Sequence, residues 1–338
     1  MNHKPSTYKA LVISESSDGN FQRMILEKPI SELPPGDILI RVHFSALNYK
    51  DALSATGNKG ITKKYPHTPG IDAAGVIEWS NDPNLKVGAE VIVTGYDLGM
   101  NTSGGFSSYI NVPANWVIPK PSSLSLKDCM TIGTAGLTAA TALHKMIALG
   151  VQSSDGPIAV TGATGGVGSW ALLLLHQKQF STIAISGKRN ATDYLKEIGA
   201  DEIWPREKAN DESGKLLLKP QWAGAIDTVG GNILNTLLRS CKSEGVVAST
   251  GLAGSPALHT TVFPFILNGI SLVGVGSAEM PLDIKKKMWN DFQNIPNLTA
   301  LCMKIRQECS LQTLMDEKID AMLEGKTMGR TVVDLRSL

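Results

Sequence analysis

Short runs in which apolar and polar residues alternate fill the first third of the chain. Between residues 8 and 116 these runs are separated by glycine and proline turns, of which residues 34–37 (Pro-Pro-Gly-Asp) are one. Alternation with a period of two, interrupted at short intervals by turn residues, is typical of antiparallel strands. We therefore predict a compact, β-rich, barrel-like domain over residues 1–125.

Strands and helices alternate in the middle of the chain. Apolar runs such as PIAVTG and WAGAID are followed by amphipathic segments with helical spacing. This alternation indicates a parallel sheet covered by helices, so we predict a doubly wound Rossmann domain over residues 126–280. Residues 281–338 show one helix ending at Gly325 and one strand, TVVDL, which is too little for a domain. We predict that they return to complete the first domain, and the fold class is α/β.

Charge and composition limit the partners of the protein. Its 32 basic and 31 acidic residues give a formal net charge of +1, so there is no electrostatic reason to expect a nucleic acid or an anionic membrane. The start lacks the pattern of a secretory signal, and the apolar run at residues 170–175 is far shorter than the roughly 20 residues of a membrane span. We expect a cytoplasmic protein that acts on a small molecule. Four cysteines without paired spacing fit buried, reduced thiols: Cys129, Cys241, Cys302 and Cys309.

A glycine-rich turn lies between an apolar strand and a helix at residues 163–168. It matches the dinucleotide-binding fingerprint, with alanine in place of the first glycine. Gly165 is predicted to let backbone amides approach a pyrophosphate, and Gly168 to let helix and strand pack closely. A tight turn without a ligand is the alternative, but the flanking strand and helix pattern favours cofactor binding. The predicted contacts in the turn are Ala163, Thr164, Gly165, Gly166, Val167 and Gly168.

The end of the next strand indicates which nucleotide is preferred. An NAD-binding protein usually places an acidic side chain there, against the ribose hydroxyls. This chain instead has Ser186, Gly187, Lys188 and Arg189. A cation at this point can pair with the additional phosphate of NADP, and the serine can donate a hydrogen bond to it. We predict NADPH as the cofactor; two solvated surface cations are the alternative.

Seven segments, taken in order, resemble one family over nearly the whole chain. The segments are NYKDALSATG, PGIDAAG, VTGATGGVGS, WAGAIDTVGG, GLAG, PFILNGISLVGV and GRTVVDL. They resemble the zinc-free branch of the medium-chain dehydrogenase/reductase superfamily that contains the YhdH/YhfP-type quinone oxidoreductases and the acrylyl-CoA reductases. The resemblance implies a GroES-like catalytic domain beside the Rossmann domain. It also implies a homodimer, with the strand ISLVGVG as a candidate for the interface.

The resemblance also implies that no metal is bound. Zinc-containing members hold the catalytic metal with a Cys in the segment matching NYKD, a His in the segment matching PGID and a Cys near IGTAG. Here Asn48 replaces the first, Ile71 with Asp72 the second, and Ile132 or Gly133 the third, so the ligands of a tetrahedral zinc site are missing. No cysteine lies between residues 91 and 105, where a structural zinc would be held. Other possible ligands are scattered without ligand spacing: His67, His144 and Cys129.

Family position implies further cofactor contacts outside the glycine turn: Tyr49, Arg206, Leu252, Ile266, Ser277 and Arg330. For Leu252 and Ile266 the alternative is core packing, and for the two arginines it is a surface position. Tyr49 is the candidate catalytic residue, either as a proton source or as a donor that positions nicotinamide and substrate, with a structural role as the alternative. Asp51 is predicted to fix the NYKD turn.

Without a metal to stabilise an alkoxide, conjugated acceptors suit this enzyme better than alcohols. We predict NADPH-dependent reduction of an activated C=C bond, with a short-chain enoyl-CoA such as acrylyl-CoA as substrate. An NADPH:quinone oxidoreductase and an NADPH-binding redox sensor with little catalysis are the alternatives. Lysines in the loop after NYKD are candidates for the CoA phosphates, with a solvated lysine loop as the favoured alternative: Lys59, Lys63 and Lys64.

Overall fold

The computed structural model describes residues 5–338, which form two compact units. The first unit runs up to Thr134 and resumes at Ala278–Leu338, and the second is Ala135–Ser277. The predicted boundaries, after residues 125 and 280, therefore need correction. The larger shift arises at Gly133, where φ of 47° and ψ of −156° interrupt a long helix, so that its first part lies in the first unit.

The elements up to this helix are mainly strands. In chain order they are β1 (Thr7–Glu15), β2 (Phe21–Pro29), β3 (Ile38–Leu47), α1 (Tyr49–Ser54), β4 (Asp72–Ser80), β5 (Glu90–Thr94), β6 (Tyr109–Val112), β7 (Ile118–Pro119) and α2 (Leu126–Ala148). Short 3₁₀ turns cover Ile30–Glu32 and Ala114–Trp116.

Strands and helices alternate in the second unit, as the sequence predicts. The elements are β8 (Ile158–Thr161), α3 (Gly166–Gln177), β9 (Thr182–Ser186), α4 (Thr192–Glu197), β10 (Glu202–Pro205), β11 (Trp222–Asp227), α5 (Gly231–Arg239), β12 (Cys241–Ser249), α6 (Phe263–Asn268) and β13 (Ser271–Gly274). Further 3₁₀ turns cover Arg189–Ala191 and Arg206–Ala209.

The C-terminal segment carries more structure than the predicted helix and strand. It contains α7 (Leu282–Gln293), α8 (Leu298–Ile305), β14 (Arg306–Ser310), α9 (Leu311–Thr313), a π-helical turn (Leu314–Lys318), α10 (Ile319–Leu323) and β15 (Arg330–Asp334). Among residues 5–338, no helix is both long and apolar enough to cross a membrane.

A seven-stranded sheet organises the first unit. Its order is β14-β15-β3-β4-β5-β7, with β6 also paired to β3, while β1 and β2 form a separate antiparallel pair. β15 pairs antiparallel with β3, with Val333 opposite Ser45, so the last strand of the chain completes this sheet. The apolar sides of the strands form the core, with side chains such as Ile40 and Phe106 fully buried.

The second unit is built on a six-stranded parallel sheet in the order β10-β9-β8-β11-β12-β13. This order is that of the doubly wound dinucleotide-binding fold, in which the direction of progression reverses between the first and fourth strands, here β8 and β11. All residues of both strands are buried, as expected for the centre of a parallel sheet. The predicted fold class, Rossmann sheet plus β-rich domain, is confirmed.

Candidate functional site

The turn after β8 has the geometry of a phosphate cradle. Gly162 adopts a left-handed φ of 57°, and the amide of Gly165 donates to its carbonyl oxygen at 2.8 Å. A Cβ on Gly168 would lie 2.7 Å from Cα of Ala163, so only glycine allows α3 to start this close to the strand. The tight turn thus belongs to Gly162, one position before the motif, which explains why a buried alanine at 163 is tolerated.

Three backbone amides at the start of α3 have no acceptor within their own helix. The amides of Gly166, Val167 and Gly168 precede the first residue that can bond back within the helix, and Ser169 is the first to do so, to Gly165 at 2.8 Å. A Cβ on Gly165 would meet only one protein atom within 4 Å, the Gly162 carbonyl oxygen. Three such donors at the N-terminus of a helix are suited to an anion. The side chain of Thr164 is buried beside them.

Two basic side chains meet at the carboxyl end of β9. The guanidinium of Arg206 lies against Gly187, since a Cβ there would be 2.9 Å from its Nη2. Burial, and secondly the charge of Arg206, lower the pKa of Lys188. The Ser186 hydroxyl accepts a hydrogen bond from the Lys188 amide at 3.1 Å. The structure therefore brings Ser186, Gly187, Lys188 and Arg206 together as one cationic group, with the exposed Arg189 next in the chain.

The other predicted contacts in this unit lie in loops. Leu252, after β12, and Ile266, in α6, are 54% and 68% exposed, so the alternative of core packing is wrong for both. Ser277 follows β13, and its hydroxyl is 2.6 Å from that of Thr138 in α2.

The loop after β11 contains residues that the sequence analysis missed. The buried carboxylate of Asp227 accepts hydrogen bonds from the Thr161 hydroxyl at 2.6 Å and from the amides of Val229 and Gly230. Thr228 in turn donates to the carbonyl of Thr161 at 3.0 Å. These bonds join the ends of β8 and β11, the two strands at the switch point. The sequence feature that could have indicated this site is Asp227, the polar residue at the end of the apolar run WAGAID.

In the first unit, Tyr49 is the first residue of α1 and is 39% exposed. The preceding Asn48 and the buried Asp51 form a capping box, in which the Asn48 amide donates to Asp51 at 2.8 Å. Asp51 also accepts hydrogen bonds from the amides of Gly70 and Ile71. The prediction that Asp51 fixes the NYKD turn is therefore confirmed. Burial raises the pKa of Asp51 to about 7, and the three amide donors oppose this rise.

Two of the positions at which zinc-containing members of the resembled family have metal ligands, Asn48 and Asp72, are hydrogen-bonded to each other here. Asn48 Nδ2 donates to Asp72 at 2.8 Å, and the amide and hydroxyl of Thr134 donate to the same carboxylate. Arg330 pairs with Asp72 at 3.4 Å and donates to Asn48 Oδ1 at 2.9 Å. A Cβ on Gly133 would be 2.8 Å from Arg330 Nη2, so the kink of α2 makes room for the guanidinium. We call Asn48, Asp51, Asp72, Thr134 and Arg330 the buried polar cluster.

Arg330 is buried, which excludes the predicted alternative of a surface cation. Its five N–H groups donate to Asp72, to Asn48 and to the backbone carbonyls of Thr131, Leu47 and Met130. With every donor occupied by the protein, the side chain supports the cluster, and a contact between Arg330 and a cofactor would have to use its backbone.

Other predicted residues have local partners. Lys59 is paired with Glu15, and its ammonium lies 4.8 Å from the centroid of the Tyr65 ring. Lys63 and Lys64 are exposed, as is His144, while His67 is buried and bonded to the Gly99 carbonyl oxygen at 2.9 Å. The four cysteines are buried free thiols, as expected. Within the described part of the chain, no three His, Cys, Asp or Glu residues are grouped so that they could hold a metal ion.

Comparisons with known proteins agree with this geometry. The alcohol dehydrogenase GroES-like domain matches residues 34–122, and the family described as zinc-binding dehydrogenase matches residues 166–294. YhfP of Bacillus subtilis, which carries the name of a quinone oxidoreductase, is 41% identical over 90% of this chain and 92% of its own. The chain belongs to the medium-chain dehydrogenase/reductase superfamily.

Membership of this superfamily makes the protein an oxidoreductase. Acrylyl-CoA reductase AcuI of Ruegeria pomeroyi is 36% identical over 98% of this chain and all of its own. The crystal structure of the YhdH oxidoreductase of Salmonella enterica, in complex with NADP, matches with a TM-score of 0.93 and 39% identity over 97% of this chain and all of that one. The structure of YhfP, which has the same TM-score, was determined with NAD bound.

Proposed function

We propose that this medium-chain oxidoreductase uses NADPH to reduce an activated C=C bond, with a short-chain enoyl-CoA such as acrylyl-CoA as substrate. The cofactor assignment rests on two anion-binding features that lie at the carboxyl ends of the neighbouring strands β8 and β9. The amides of α3 suit a pyrophosphate, and the group of Ser186, Lys188 and Arg206 suits a further phosphate. NADPH carries both groups, whereas NADH carries only the first.

The similar proteins give different degrees of support to the assignment of NADPH as cofactor and of an enoyl-CoA as substrate. YhdH was crystallised with NADP, and YhfP with NAD, so the nucleotide preference in this chain rests on its own basic residues. The substrate assignment rests on AcuI, the only one of the three whose name states a thioester substrate. Since Lys59 is engaged by Glu15, Lys63 and Lys64 are the remaining candidates in their loop for contacts with CoA phosphates.

The proposed chemistry is a conjugate reduction. Bound NADPH would supply the hydride that adds to Cβ of the acceptor. The electrons of the double bond then move to the thioester carbonyl, where hydrogen-bond donors stabilise the enolate before a proton is added at Cα. We assign the hydroxyl of Tyr49 to this transfer site, either as the proton donor or as the group that positions the acceptor. Its exposed place at the start of α1, with the turn held by Asp51, is suited to either task.

A comparison of acceptors at one NADPH concentration tests the substrate class. We expect kcat/KM for acrylyl-CoA to exceed the values for crotonyl-CoA and benzoquinone. A preference for benzoquinone by more than about tenfold, or about 1.4 kcal/mol in transition-state stabilisation, favours quinone reduction instead. The 41% identity with YhfP supports this second candidate. If the protein binds NADPH tightly but no acceptor causes NADPH to be oxidised, the result favours the third alternative, a redox sensor with little catalysis.

The edge of the Rossmann sheet supports a homodimer. β13 is the last strand of the sheet, and apolar side chains of the neighbouring α6 region are exposed: Val262, Phe263, Ile266 and Leu267. An open strand edge beside apolar surface is suited to pairing with a second copy. Light scattering should give twice the mass of one chain, and Leu267→Glu should lower it to a single chain. The four free thiols support a reducing, cytoplasmic location.

A further inference from the structure

Lys285 is a fully buried lysine that the proposed chemistry leaves without a role. It lies in α7 of the first unit and is 0% exposed. Lysine is almost never completely buried unless its charge is paired. Across residues 5–338 this ammonium forms no ion pair; Asp72 and Glu279 act on it only as more distant charges. The burial of this charge must therefore be explained by the groups that the ammonium contacts.

The ammonium of Lys285 joins two separate stretches of backbone. It donates to the carbonyl oxygen of Thr94, at the end of β5, at 2.7 Å and to that of Ala278 at 3.2 Å. It also lies 3.5 Å from the centroid of the Tyr96 ring, close enough for a strong cation–π contact. The amide of Tyr96 donates to the same Ala278 carbonyl at 3.1 Å.

Tyr96 itself is held in an uncommon conformation. Its φ of 54° is left-handed, and its ring stacks on Trp116 with centroids 5.5 Å apart and planes 11° from parallel. Such a backbone conformation in a tyrosine is maintained only when its surroundings fix it. The ammonium below the ring and the shared Ala278 carbonyl supply this constraint. Ala278 is therefore fixed from two sides, and the residue before it in the chain is Ser277.

We propose that Lys285 is a positioning residue for the nicotinamide cofactor, which fixes the backbone at Ala278 and thereby the adjacent Ser277. The proposal rests on the proposed function and on the contact between Ser277 and the cofactor that the family resemblance implies. Lys285 touches neither cofactor nor substrate in this role. Loss of its charge loosens the Thr94–Tyr96 turn and the Ala278 carbonyl together, and nucleotide affinity falls.

The charge of Lys285 changes within an accessible pH range. Burial lowers its pKa to about 8, and Asp72 and Glu279 oppose this shift. The third group facing it is the phenol of Tyr96, whose pKa is raised by burial and by Glu279, so that it remains neutral. Below pH 8 the ammonium is therefore charged and the segment is fixed. Above pH 8 the neutral amine is a weaker donor and loses its attraction to the ring.

The test is fluorescence titration of NADPH and NADH, at about pH 7 and about pH 9.5, with the wild type, Lys285→Met and Lys286→Met. For the wild type we expect Kd for NADH to rise about fivefold with pH, the size of one ordinary hydrogen bond, and Kd for NADPH to rise at least as much. Lys285→Met should show the weakened affinity already at pH 7, and its affinity for NADH should not change with pH. Lys286 is exposed on the same helix, so Lys286→Met should behave as the wild type.

NADH separates this effect from that of Lys188, whose pKa is also lowered but which would contact only the additional phosphate of NADPH. If folded Lys285→Met binds NADH as the wild type does at both pH values, the positioning role is overturned while the proposed function stands. If the wild type binds neither nucleotide at pH 7, the proposed function fails, and this role with it. Should Lys285→Met not fold, the wild-type NADH titration decides: a fivefold rise supports the role, and a constant Kd overturns it.

Discussion

The glycine turn of the second unit and the buried polar cluster of the first use polar groups in opposite ways. In the turn, three helix amides have no partner within their helix, and the basic Lys188 and Arg206 lie close together. In the cluster, all five donors of Arg330 are occupied by the protein. Helix amides without an acceptor in their own helix are suited to bind an anion, whereas occupied donors hold the protein's own structure together. The comparison therefore distinguishes the proposed binding site of the second unit from a cluster that supports the first unit, although both contain residues that resemble functional positions of the family.

The largest effect should come from breaking the cluster. Arg330→Met leaves the carboxylate of Asp72 buried without its cation, which should lower the free energy of unfolding by about 3–5 kcal/mol. Arg336→Met is the control, because its pair with Asp334 lies at the surface, where ion pairs contribute little to stability. Urea denaturation measures both. Equal, small losses would mean that the cluster does not stabilise the first unit.

The basic group of the second unit should affect affinity and not stability. Lys188→Glu should weaken NADPH binding by about 1.5–3 kcal/mol, or about tenfold to 150-fold, because it removes a cation from the predicted phosphate position. NADH binding should change much less. Lys196→Glu, an exposed change on α4, is the matched control. Equal affinities of the wild type for NADPH and NADH would contradict the prediction.

Alanine substitutions at two glycines of the same turn should differ in their effects on stability and on nucleotide affinity. Gly168→Ala forces a methyl group against Ala163 and should destabilise the protein by about 1–3 kcal/mol, the usual result of overpacking. The methyl group added by Gly165→Ala contacts only the Gly162 carbonyl oxygen. The melting temperature of this variant should therefore remain close to that of the wild type, while NADPH binds more weakly. Thermal melts and nucleotide titrations of the two variants test this. Similar melting temperatures for both would be the contrary result.

The smallest effect should follow removal of metal ions. Because Asn48, Ile71 with Asp72, and Ile132 or Gly133 stand at the positions of the zinc ligands, exhaustive chelation should leave the rate of NADPH oxidation unchanged. Loss of activity that zinc alone restores would show that another set of ligands forms a site.

Sequence predicted the features that depend on neighbours in the chain. The glycine turn and the cations after β9 follow their strands directly, so a local pattern reveals them. The cluster could not be predicted, since Arg330 and Asp72 are 258 residues apart and no spacing connects them. β2 was missed because its mixture of charged and apolar residues, FQRMILEKP, gives a two-stranded surface ribbon with no fully buried position.

The pairing of β15 with β3 has a consequence for biosynthesis. As the chain leaves the ribosome, residues 135–277 are contiguous and can fold as soon as they emerge. The N-terminal 134 residues, although made first, lack β14, β15 and the guanidinium that pairs with Asp72 until the last residues appear. Until β15 is made, residues 44–47 on one edge of β3 have no strand partner, and an unpaired strand edge of this kind promotes aggregation.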